Sequence, residues 1–475
     1  MQSRKPKWGI AFGRNAQQLT TQTDHRLKLQ KFRYSANPLQ TFLALSSRSD
    51  YCYMLESAEG PRKLAQYSFI GFSPAKMIEA KDGKYTETPA EDGSRTIQTD
   101  DPFVPLRRTL AENFTTYHGF RFVGGLVGYF SYDAVHYLEP LPNRARDDLG
   151  LPDFEFGVYD DGIVFDHLTG QAYYYWYNTN RLRDIEHLLA QRATSTSLAA
   201  DELRMNLRQE DFESMVDKAK RYIKAGDIFQ VVLSKRFEFS FKGDLINFYK
   251  ALREINPSPY MYFLKMKDHA IVGSSPEMLG RVDRGRAETF PIAGTRPVGK
   301  NTRDDQRLAA ELLNDPKEQA EHIMLIDLAR NDLGKVCKFG TVEVPEFMVV
   351  QRYSHVQHIV SRVSGQLRPD CDALDTFKGI FPAGTVSGAP KKRAMEIIDE
   401  LEPSRRGPYA GAVGYFSYNG NADFAITIRT LVANGNRAYI QAGAGIVADS
   451  EPTREWFETE HKARALLHAL KVRGA

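Results

Sequence analysis

Residues 1 to about 190 are rich in short runs with the composition of β-strands. They are rich in β-branched and aromatic residues and are separated by Gly, Asp and Asn, which favour tight turns. The clearest examples are YCYMLES (51–57), FVGGLVGYFSY (122–132), GIVFDHL (162–168) and QAYYYWYN (171–178). This pattern predicts β-sheet in the N-terminal part of the chain.

The second half of the chain combines strands with helices and repeats one of the earlier strand segments. GGLVGYFSYDA (124–134) recurs as AGAVGYFSYNG (410–420). The echo is too short to prove duplication, but it suits two similar antiparallel sheets, one in each half. Strand-like runs alternate with helical segments up to a C-terminal helix at about 453–471. We therefore predict an α+β fold with sheets in the core and helices outside.

A change in composition suggests where the chain divides. AQRATSTSLAADE (190–202) is a run of small and polar residues that is typical of a linker. The segment that follows has apolar residues at helical spacing and stops at Gly226. We predict an N-terminal region over residues 1–190, a linker over 191–205 and a second region over 206–475.

The composition argues against several classes of protein. The formal net charge of the 475 residues is only +3, and there is no concentrated basic run, so neither a nucleic acid nor a membrane surface is expected as a partner. The three cysteines share no short spacing, which indicates a reducing compartment. The N-terminus lacks an apolar core of signal-peptide length, and no run of about 18 apolar residues occurs. We expect a soluble, cytoplasmic protein.

One predicted helix carries two glutamates on the same side as its apolar residues. In KEQAEHIMLIDLARND (317–332), Glu318 and Glu321 share a face with Leu325 and Leu328. Neighbouring acids on a helix repel each other, and burying a carboxylate costs far more unless a cation compensates it. Either this face meets solvent and basic side chains, or it holds a bound cation.

The C-terminal helix carries a second pair with the same spacing, Glu455 and Glu458, on a face that continues through Lys462 and Leu466. Four oxygen donors without a neighbouring Cys or His ligand favour a hard cation. Mg²⁺ fits best because it keeps several waters and binds anionic substrates. An HExxH-type zinc motif does not occur. From spacing alone, solvated or ion-paired glutamates explain both pairs equally well.

Three further segments contain candidate binding residues. ITIRT (426–430) places Arg429 on a predicted strand, and arginine suits bidentate carboxylate binding. QAGAGIVADS (441–450) is a Gly- and Ala-rich turn whose N–H groups could bind a carboxylate. His355 and His358 would point to opposite faces of a strand, so one of them could serve a site as acid or base. In isolation, each segment also fits plain turn chemistry or a structural histidine.

Taken together, the motifs follow a characteristic order. They are FQVVLSKR, NPSPYMYF, GSSPE, PIAGTRP, KEQAEHIMLIDLARNDLG, YSHVQHIVS, FPAGTVSGAPKKRAMEIIDELEP, GPYAGAVGYF, FAITIRT, QAGAGIV and EWFETEHKA. This order resembles that of chorismate-utilising enzymes, most closely the anthranilate synthase component I family. The strong match covers about 206–470, and a weaker one is centred on MLESAEG and YSFIGFSP. The resemblance implies two interleaved, mainly antiparallel sheets across the predicted boundary, with chorismate and Mg²⁺ bound between them.

The resemblance also implies roles for the glutamates and for one histidine. Glu321 and Glu458 are similar to direct Mg²⁺ ligands, and Glu318 and Glu455 to residues that hold waters around the ion. The ion would bind the ring carboxylate of chorismate. His358 is similar to the histidine that faces the reacting edge of the substrate, and we assign it general acid/base catalysis.

The same motifs imply contacts with both ends of chorismate. Arg429, Tyr409 and the Gly445 backbone resemble the clamp on the enolpyruvyl carboxylate. Gly443 and Lys462 are expected near the ring carboxylate. The remaining substrate-contact positions are Gly294, Thr295 and Thr385.

The implied reaction begins with ammonia attacking ring C2 while the C4 hydroxyl leaves, and loss of pyruvate then gives anthranilate. Two positions separate the branches of the family. The nucleophilic lysine of the branch that makes 4-amino-4-deoxychorismate is Ala293 here. The lysine that activates water in isochorismate and salicylate synthases is Gln230 here. Enzymes that stop at 2-amino-2-deoxyisochorismate, as in phenazine pathways, share both features and are an alternative. An isochorismate or salicylate synthase is a further alternative.

The source of ammonia is expected to lie on another chain. No cysteine occurs in a G-x-C-x-G nucleophile turn, so the chain lacks a fused glutaminase. The resemblance implies a separate glutamine amidotransferase subunit, in a heterotetramer of two plus two. Without it, the chain should still use ammonium salts.

Two segments far apart in the sequence, LESAEG and NPSPYMYF, resemble the tryptophan feedback site of the family. The implied inhibitor-binding residues are Leu55, Glu56, Ser57, Pro259, Tyr260 and Met261. Bound tryptophan could bias the closure of the two halves. Met54 and Val298 depart from the usual pattern of the family, which bears on inhibitor sensitivity rather than on catalysis.

The sequence does not match what two other classes of protein would be expected to show. A catalytically dead tryptophan-sensing scaffold would be expected to have lost some of the four acids, Arg429 or His358, and all are present. A Mg²⁺-dependent phosphoryl-transfer enzyme should have a phosphate-binding loop, and the sequence contains none.

Overall fold

The computed structural model describes residues 27–32, 37–57, 66–90, 93–191, 194–353 and 356–471. The helices are α1 (Pro38–Ser46), α2 (Phe103–Glu112), α3 (Leu182–Ala190), α4 (Gln209–Ala225), α5 (Leu245–Ile255), α6 (Thr302–Asn314), α7 (Pro316–Gly334), α8 (Ala373–Ile380), α9 (Gly384–Ser387), α10 (Lys391–Leu401) and α11 (Pro452–Lys471), with a 3-10 helix at Tyr132–Tyr137. None of the helices in these segments is both long and apolar enough to cross a membrane.

The strands follow the runs identified in the sequence. They are β1 (Lys28–Phe32), β2 (Tyr51–Glu56), β3 (Tyr67–Phe72), β4 (Lys76–Lys81), β5 (Lys84–Pro89), β6 (Arg95–Gln98), β7 (Gly125–Phe130), β8 (Phe154–Tyr159), β9 (Asp161–Asp166), β10 (Gln171–Trp176), β11 (Ala199–Ala200), β12 (Arg204–Met205), β13 (Gln230–Lys242), β14 (Tyr260–Met266), β15 (His269–Ser275), β16 (Met278–Asp283), β17 (Arg286–Thr289), β18 (Ile292–Pro297), β19 (Glu343–Arg352), β20 (Val356–Gln366), β21 (Gly388–Ala389), β22 (Ala412–Ser417), β23 (Ala422–Ile426), β24 (Thr430–Asn434) and β25 (Arg437–Ile446).

These strands form two sheets. In the described residues, the 13-stranded sheet has the order β1-β10-β9-β3-β2-β14-β15-β24-β25-β13-β11, and β12 and β21 also pair with β13. The 12-stranded sheet has the order β18-β20-β17-β16-β23-β22-β7-β8-β4-β5-β6, and β19 pairs with β20. Neighbouring strands run antiparallel throughout. The predicted α+β fold with two interleaved, mainly antiparallel sheets is confirmed.

The two sheets pack face to face, and helices cover their outer surfaces. Tyr53 of the 13-stranded sheet contacts Tyr159 of the 12-stranded sheet with a ring-centroid distance of 4.6 Å. On the outer side of the 13-stranded sheet, Phe42 of α1 and Leu466 of α11 are fully buried. Strands such as β7 and β22 are buried along their whole length because both of their faces are covered.

The two copies of the Gly-Tyr-Phe segment lie in one sheet and not in two. The expectation of one such strand in each of two separate sheets is wrong, because β7 and β22 are neighbours in the 12-stranded sheet. Val413 lies opposite Tyr129, and Tyr415 lies opposite Val127. The two strands have similar surroundings because they are neighbours in the centre of one sheet and both faces of each strand are covered.

Each sheet takes strands from both ends of the chain. In the 13-stranded sheet β2 pairs with β14, and in the 12-stranded sheet β7 pairs with β22. The predicted linker contributes β11 and β12, which both pair with β13. The division of the chain at 191–205 stays a prediction, since the pairing joins both regions into the same sheets.

Candidate active site

A cavity of about 740 Å³ lies between the two sheets. Its walls come from β18 and β20 of the 12-stranded sheet, β13 and β25 of the 13-stranded sheet, and the helices α7 and α11. Every residue predicted to act in catalysis, substrate binding or metal binding lines it: Gly294, Thr295, Glu318, Glu321, His358, Thr385, Tyr409, Arg429, Gly443, Gly445, Glu455, Glu458 and Lys462. The fold therefore gathers residues that are up to 168 positions apart in the sequence.

Arg429 lies where the chain crosses from one sheet to the other. The expectation that it lies on a strand is wrong: β23 ends at Ile426 in the 12-stranded sheet, and β24 begins at Thr430 in the 13-stranded sheet. The backbone of Arg429 is left-handed, with φ of 52°. A non-glycine residue in this conformation is strained, and such strain is common at functional sites.

The Arg429 guanidinium is a cation without a counter-charge. It makes no ion pair within the described segments, and burial lowers its pKa, although the nearby Tyr409 acts in the opposite direction. An unpaired, largely desolvated guanidinium is costly for the protein alone but suits a bidentate carboxylate ligand. This end of the cavity therefore fits a carboxylate group.

The floor of the cavity near Arg429 is glycine backbone of β25. A Cβ atom at Gly445 would lie only 2.5 Å from Nε2 of Gln230, so a side chain there would require the end of the Gln230 side chain to move. Two residues earlier on the same strand, the carbonyl of Gly443 accepts a hydrogen bond of 3.0 Å from Lys462 Nζ. A flat ligand can thus approach the backbone of β25 directly.

His358 is fixed on β20 by a turn of β18. Its Nδ1 lies 2.7 Å from the Gly294 carbonyl and 3.1 Å from the Thr295 hydroxyl. Since a carbonyl only accepts, Nδ1 carries the proton and Nε2 is an acceptor in the neutral ring. Burial, and also the charge of Arg429, lowers the pKa of His358, so the ring is neutral near pH 7. His355 lies outside the described residues.

The two glutamates of α7 lie in its first two turns and line the cavity. Arg296 donates to Glu318 Oε1 over 3.2 Å and to Asp315 Oδ2, the helix cap, over 3.0 Å. The other carboxylate oxygen of Glu318 lies over Gly294: a Cβ atom there would be 2.9 Å from Oε2. Burial, and then the charge of Glu318, raises the pKa of Glu321, which pairs with no basic side chain in the described part of the chain.

The glutamates of α11 face the same cavity. Glu455 is buried, and its burial raises its pKa. Glu458 makes an ion pair of 2.7 Å with Lys462, which lies one helical turn further on. The charge of Glu458 raises the pKa of both Glu321 and Glu455. The two pairs of glutamates on separate helices are therefore electrostatically coupled.

The donor chemistry fits a hard divalent cation. Seven carboxyl groups and four Lys or Arg side chains line the cavity, which leaves a formal charge of −3. All of the glutamate donors are oxygens, as Mg²⁺ requires. In the described residues, however, no three acidic, His or Cys side chains lie close enough together to hold one metal ion. Glu318 and Glu458 are paired with Arg296 and Lys462 instead.

Glu277 and Lys317 are two of the cavity residues to which the sequence analysis assigned no role. Glu277, the last residue of GSSPE, lies where the chain crosses from β15 to β16, and burial raises its pKa to about 7. Lys317 lines the cavity from the second position of α7. The motifs that contain them were recognised, but a role for either residue depends on its surroundings. The Thr385 hydroxyl, which was predicted, is buried beside the Glu277 carboxyl, and its interaction with that carboxyl opposes the rise in the pKa of Glu277.

A second, much smaller cavity of about 50 Å³ lies between the sheets at another place. All six residues predicted to bind an inhibitor line it: Leu55, Glu56, Ser57, Pro259, Tyr260 and Met261. The Glu56 carboxylate accepts hydrogen bonds from Tyr249 at 2.8 Å and from Arg253 at 2.9 Å. This carboxylate therefore serves the packing of α5 onto β2.

Residues 50–468 match the sequence profile of the chorismate binding enzyme family. Anthranilate synthase component 1 from Methanothermobacter thermautotrophicus is 49% identical over 439 residues, which cover 92% of this chain and 93% of that protein. The crystal structure of anthranilate synthase component I from Streptococcus pneumoniae superposes with a TM-score of 0.78 at 37% identity, covering 86% of this chain and 93% of that one. MenF, the menaquinone-specific isochorismate synthase from Escherichia coli, shares the fold with a TM-score of 0.72 at 19% identity, over 94% of each chain.

The profile match over most of its length shows that the chain belongs to the chorismate binding enzyme family. Within that family, its relatives at 42–49% identity are proteins named anthranilate synthase component 1. The resemblance inferred from the motifs is confirmed, and with it the prediction of an enzyme.

Proposed function

We propose that this chain is the large subunit of an anthranilate synthase. It converts chorismate and ammonia to anthranilate, pyruvate and water, the first step of tryptophan biosynthesis. One observation carries the proposal: the unpaired Arg429, the neutral His358 and the four glutamates line a single cavity in a chain 49% identical to an anthranilate synthase component 1.

The two carboxylates of chorismate bind at opposite ends of the cavity. Arg429 takes the enolpyruvyl carboxylate, with Tyr409 and the Gly445 backbone beside it. The ring carboxylate lies toward α7 and α11, where Gly443 and Lys462 meet. Gly294, Thr295 and Thr385 form the remaining wall and orient the ring.

Mg²⁺ is the cofactor that the glutamates best accommodate. Glu321 and Glu458 are its direct ligands in this proposal, and Glu318 and Glu455 hold its waters. The bound ion supplies positive charge that compensates the glutamates and the ring carboxylate. Support comes from the net negative charge of the cavity, which would otherwise repel a substrate with two carboxylates.

The proton transfers belong to two residues of this chain. The Glu277 carboxyl, with a pKa of about 7, is protonated in a large fraction of molecules at neutral pH and donates its proton to the C4 hydroxyl, which leaves as water while ammonia bonds to C2. The proton that the bound ammonia then loses restores the acid form of Glu277. His358 Nε2 accepts the C2 proton as the bond between C3 and the enolpyruvyl oxygen breaks, and the same proton passes to the methylene carbon of the released enolpyruvate, which becomes pyruvate. The products are anthranilate and pyruvate.

Two side chains that line the cavity support ammonia as the nucleophile. Ala293 and Gln230 both line the cavity, and neither side chain can act as a nucleophile or activate a water. This disfavours covalent catalysis at C4 and isochorismate or salicylate formation. A phenazine-type enzyme, which stops at 2-amino-2-deoxyisochorismate, is the second candidate because it would need the same two residues.

Anthranilate and pyruvate should form in equal amounts when the purified chain receives chorismate, Mg²⁺ and an ammonium salt. Fluorescence follows anthranilate, and mass spectrometry identifies the products. EDTA should lower the rate by roughly 100-fold or more, because the ion contributes several kcal/mol of charge stabilisation. Accumulation of the aminated intermediate without pyruvate would assign the chain to the phenazine-type branch, and isochorismate or salicylate would refute the ammonia mechanism.

The partner in this proposal is a glutamine amidotransferase subunit, called component II in this family, in a heterotetramer of two plus two. The naming of the relatives as component 1 supports a second component. We further propose a cytoplasmic location, which the three free cysteines favour, and feedback inhibition by tryptophan at the 50 Å³ cavity.

Ser57→Ala should weaken tryptophan inhibition by about threefold to tenfold, the effect of losing one hydrogen bond. The KM for chorismate should not change, because Ser57 does not line the active-site cavity. Ser240→Ala, a half-buried strand serine that lines neither cavity, is the matched control. An unchanged inhibition constant for tryptophan would refute the inhibitor-site assignment.

A further inference from the structure

Lys317 occupies a position that is unfavourable for its own helix. Asp315 caps α7 by accepting hydrogen bonds from the backbone of Lys317 and Glu318, and Pro316 is the first helical residue. Lys317 is therefore the second residue of the first turn, where the helix dipole favours anions and disfavours cations. Local rules are most often broken where a residue serves a site.

The Lys317 side chain lies at the open edge of the active-site cavity. It is exposed, it lines the cavity, and no carboxylate in the segments described here lies within ion-pair distance of its ammonium group. It lines the same cavity as Glu321 of α7 and Glu455 of α11. Lys317 thus shares the cavity with both pairs of glutamates without being tied to either.

The other cations of the cavity have different surroundings. Arg454 pairs with Glu451 over 3.0 Å, and Lys462 pairs with Glu458 over 2.7 Å. Arg429 is unpaired but lies deep beside Tyr409. Among the described residues that line the cavity, Lys317 is the exposed cation left without a partner.

We infer that Lys317 weakens the binding of Mg²⁺ to the glutamates and attracts the two-carboxylate substrate to the mouth of the cavity. The inference rests on the proposed function. A fixed positive charge near four carboxylates repels a divalent cation, and the same charge draws in a dianion. Removing this charge should therefore strengthen the binding of Mg²⁺ and weaken the binding of chorismate. The loss of a purely structural residue would not change the two affinities in opposite directions.

Magnesium titration of the metal-free protein by calorimetry, without chorismate, tests the first half. Lys317→Gln should bind Mg²⁺ roughly fivefold to thirtyfold more tightly, the effect of removing one charge several ångströms from a divalent ion in a partly solvated site. Lys317→Arg should keep the wild-type affinity. Equal or weaker Mg²⁺ binding by Lys317→Gln would overturn the inference.

Steady-state kinetics with ammonium salts, at saturating Mg²⁺ and low ionic strength, test the second half. The KM of Lys317→Gln for chorismate should rise about threefold to tenfold, and the difference should shrink as salt screens the charge. A KM equal to that of the unsubstituted chain overturns the inference as well. The melting temperature should not fall, because the substitution removes a cation from a helix N-terminus.

Arg303→Gln is the matched control. Arg303 is the second residue of α6, directly after the Asn301 cap and Thr302, is exposed, and does not line the cavity. Both affinities should stay at their wild-type values in this variant. If the unsubstituted chain bound no Mg²⁺ even with chorismate, the proposed function would fail together with the inference; normal Mg²⁺-dependent catalysis with an unaltered Lys317→Gln variant would overturn the inference alone.

Discussion

Arg429→Gln should lower kcat/KM for chorismate by roughly 100- to 1000-fold and at the same time raise the melting temperature. Truncating one partner of a buried, charge-assisted contact costs about 3–4 kcal/mol of binding, which corresponds to this range. The protein without substrate gains instead, because the substitution removes a largely desolvated guanidinium that pairs with no carboxylate in the described residues. Steady-state kinetics and thermal unfolding of the same preparation measure both effects.

A fully buried and ion-paired arginine offers the opposite case as a control. Arg406 is 1% exposed and pairs with Glu402 over 2.7 Å. Arg406→Gln should destabilise the protein by about 3–5 kcal/mol because it leaves the Glu402 carboxylate buried without its partner. A variant at Arg429 that kept full activity, or that unfolded as readily as the variant at Arg406, would contradict the assignment of Arg429 to the substrate carboxylate.

Glu277→Gln should lower kcat by about 10²- to 10⁴-fold, the usual contribution of a general acid or base. The amide keeps the size of the side chain and can still form hydrogen bonds, but it has no acidic proton to transfer to the leaving hydroxyl. In the unsubstituted enzyme, kcat should fall as pH rises through about 7, because the acid form of Glu277 is lost there. The residual activity of the variant should lack this decline.

The stability of the protein should respond to the same titration. The folded-state pKa of Glu277, about 7, lies above its ordinary value of 4.5, so the group stabilises the fold fully below pH 4.5. That contribution is lost as pH rises through about 7, and Glu277→Gln should remove this loss. Glu186→Gln, which changes an exposed glutamate of α3, is the control for this effect on stability.

For the kinetic prediction, a kcat of Glu277→Gln within threefold of wild type would exclude Glu277 as the acid.

The contents of the active-site cavity were predictable because they depend on chemistry that is visible in local motifs. An i, i+3 pair of glutamates on a helix places both carboxylates on one face, and α7 and α11 turn these faces toward the same space. Glycines and an arginine in short motifs likewise indicated carboxylate binding. These inferences needed only helical periodicity and the preferences of side chains for their ligands.

Other properties of the site depend on contacts between distant parts of the chain. The pKa of Glu277 rises because two sheets close around it, and nothing within GSSPE reports that burial. Arg296 of β18 pairs with Glu318 of α7, 22 positions further along the chain, and no local pattern indicated this pair. The left-handed backbone of Arg429 arises because the chain must change sheets between Ile426 and Thr430.

The sequence by itself determined the strands and helices, the faces that carry the glutamates and the family to which the chain belongs, because these follow from short-range periodicity and ordered motifs. Only the tertiary structure decided that β7 and β22 lie side by side, that no acidic side chain of the described segments pairs with Arg429, and that Lys317 lines the same cavity as both pairs of glutamates. Strand partners and local charge balance are set by residues hundreds of positions apart. Their free energies come from burial and Coulomb interactions in the folded state, which no local pattern encodes.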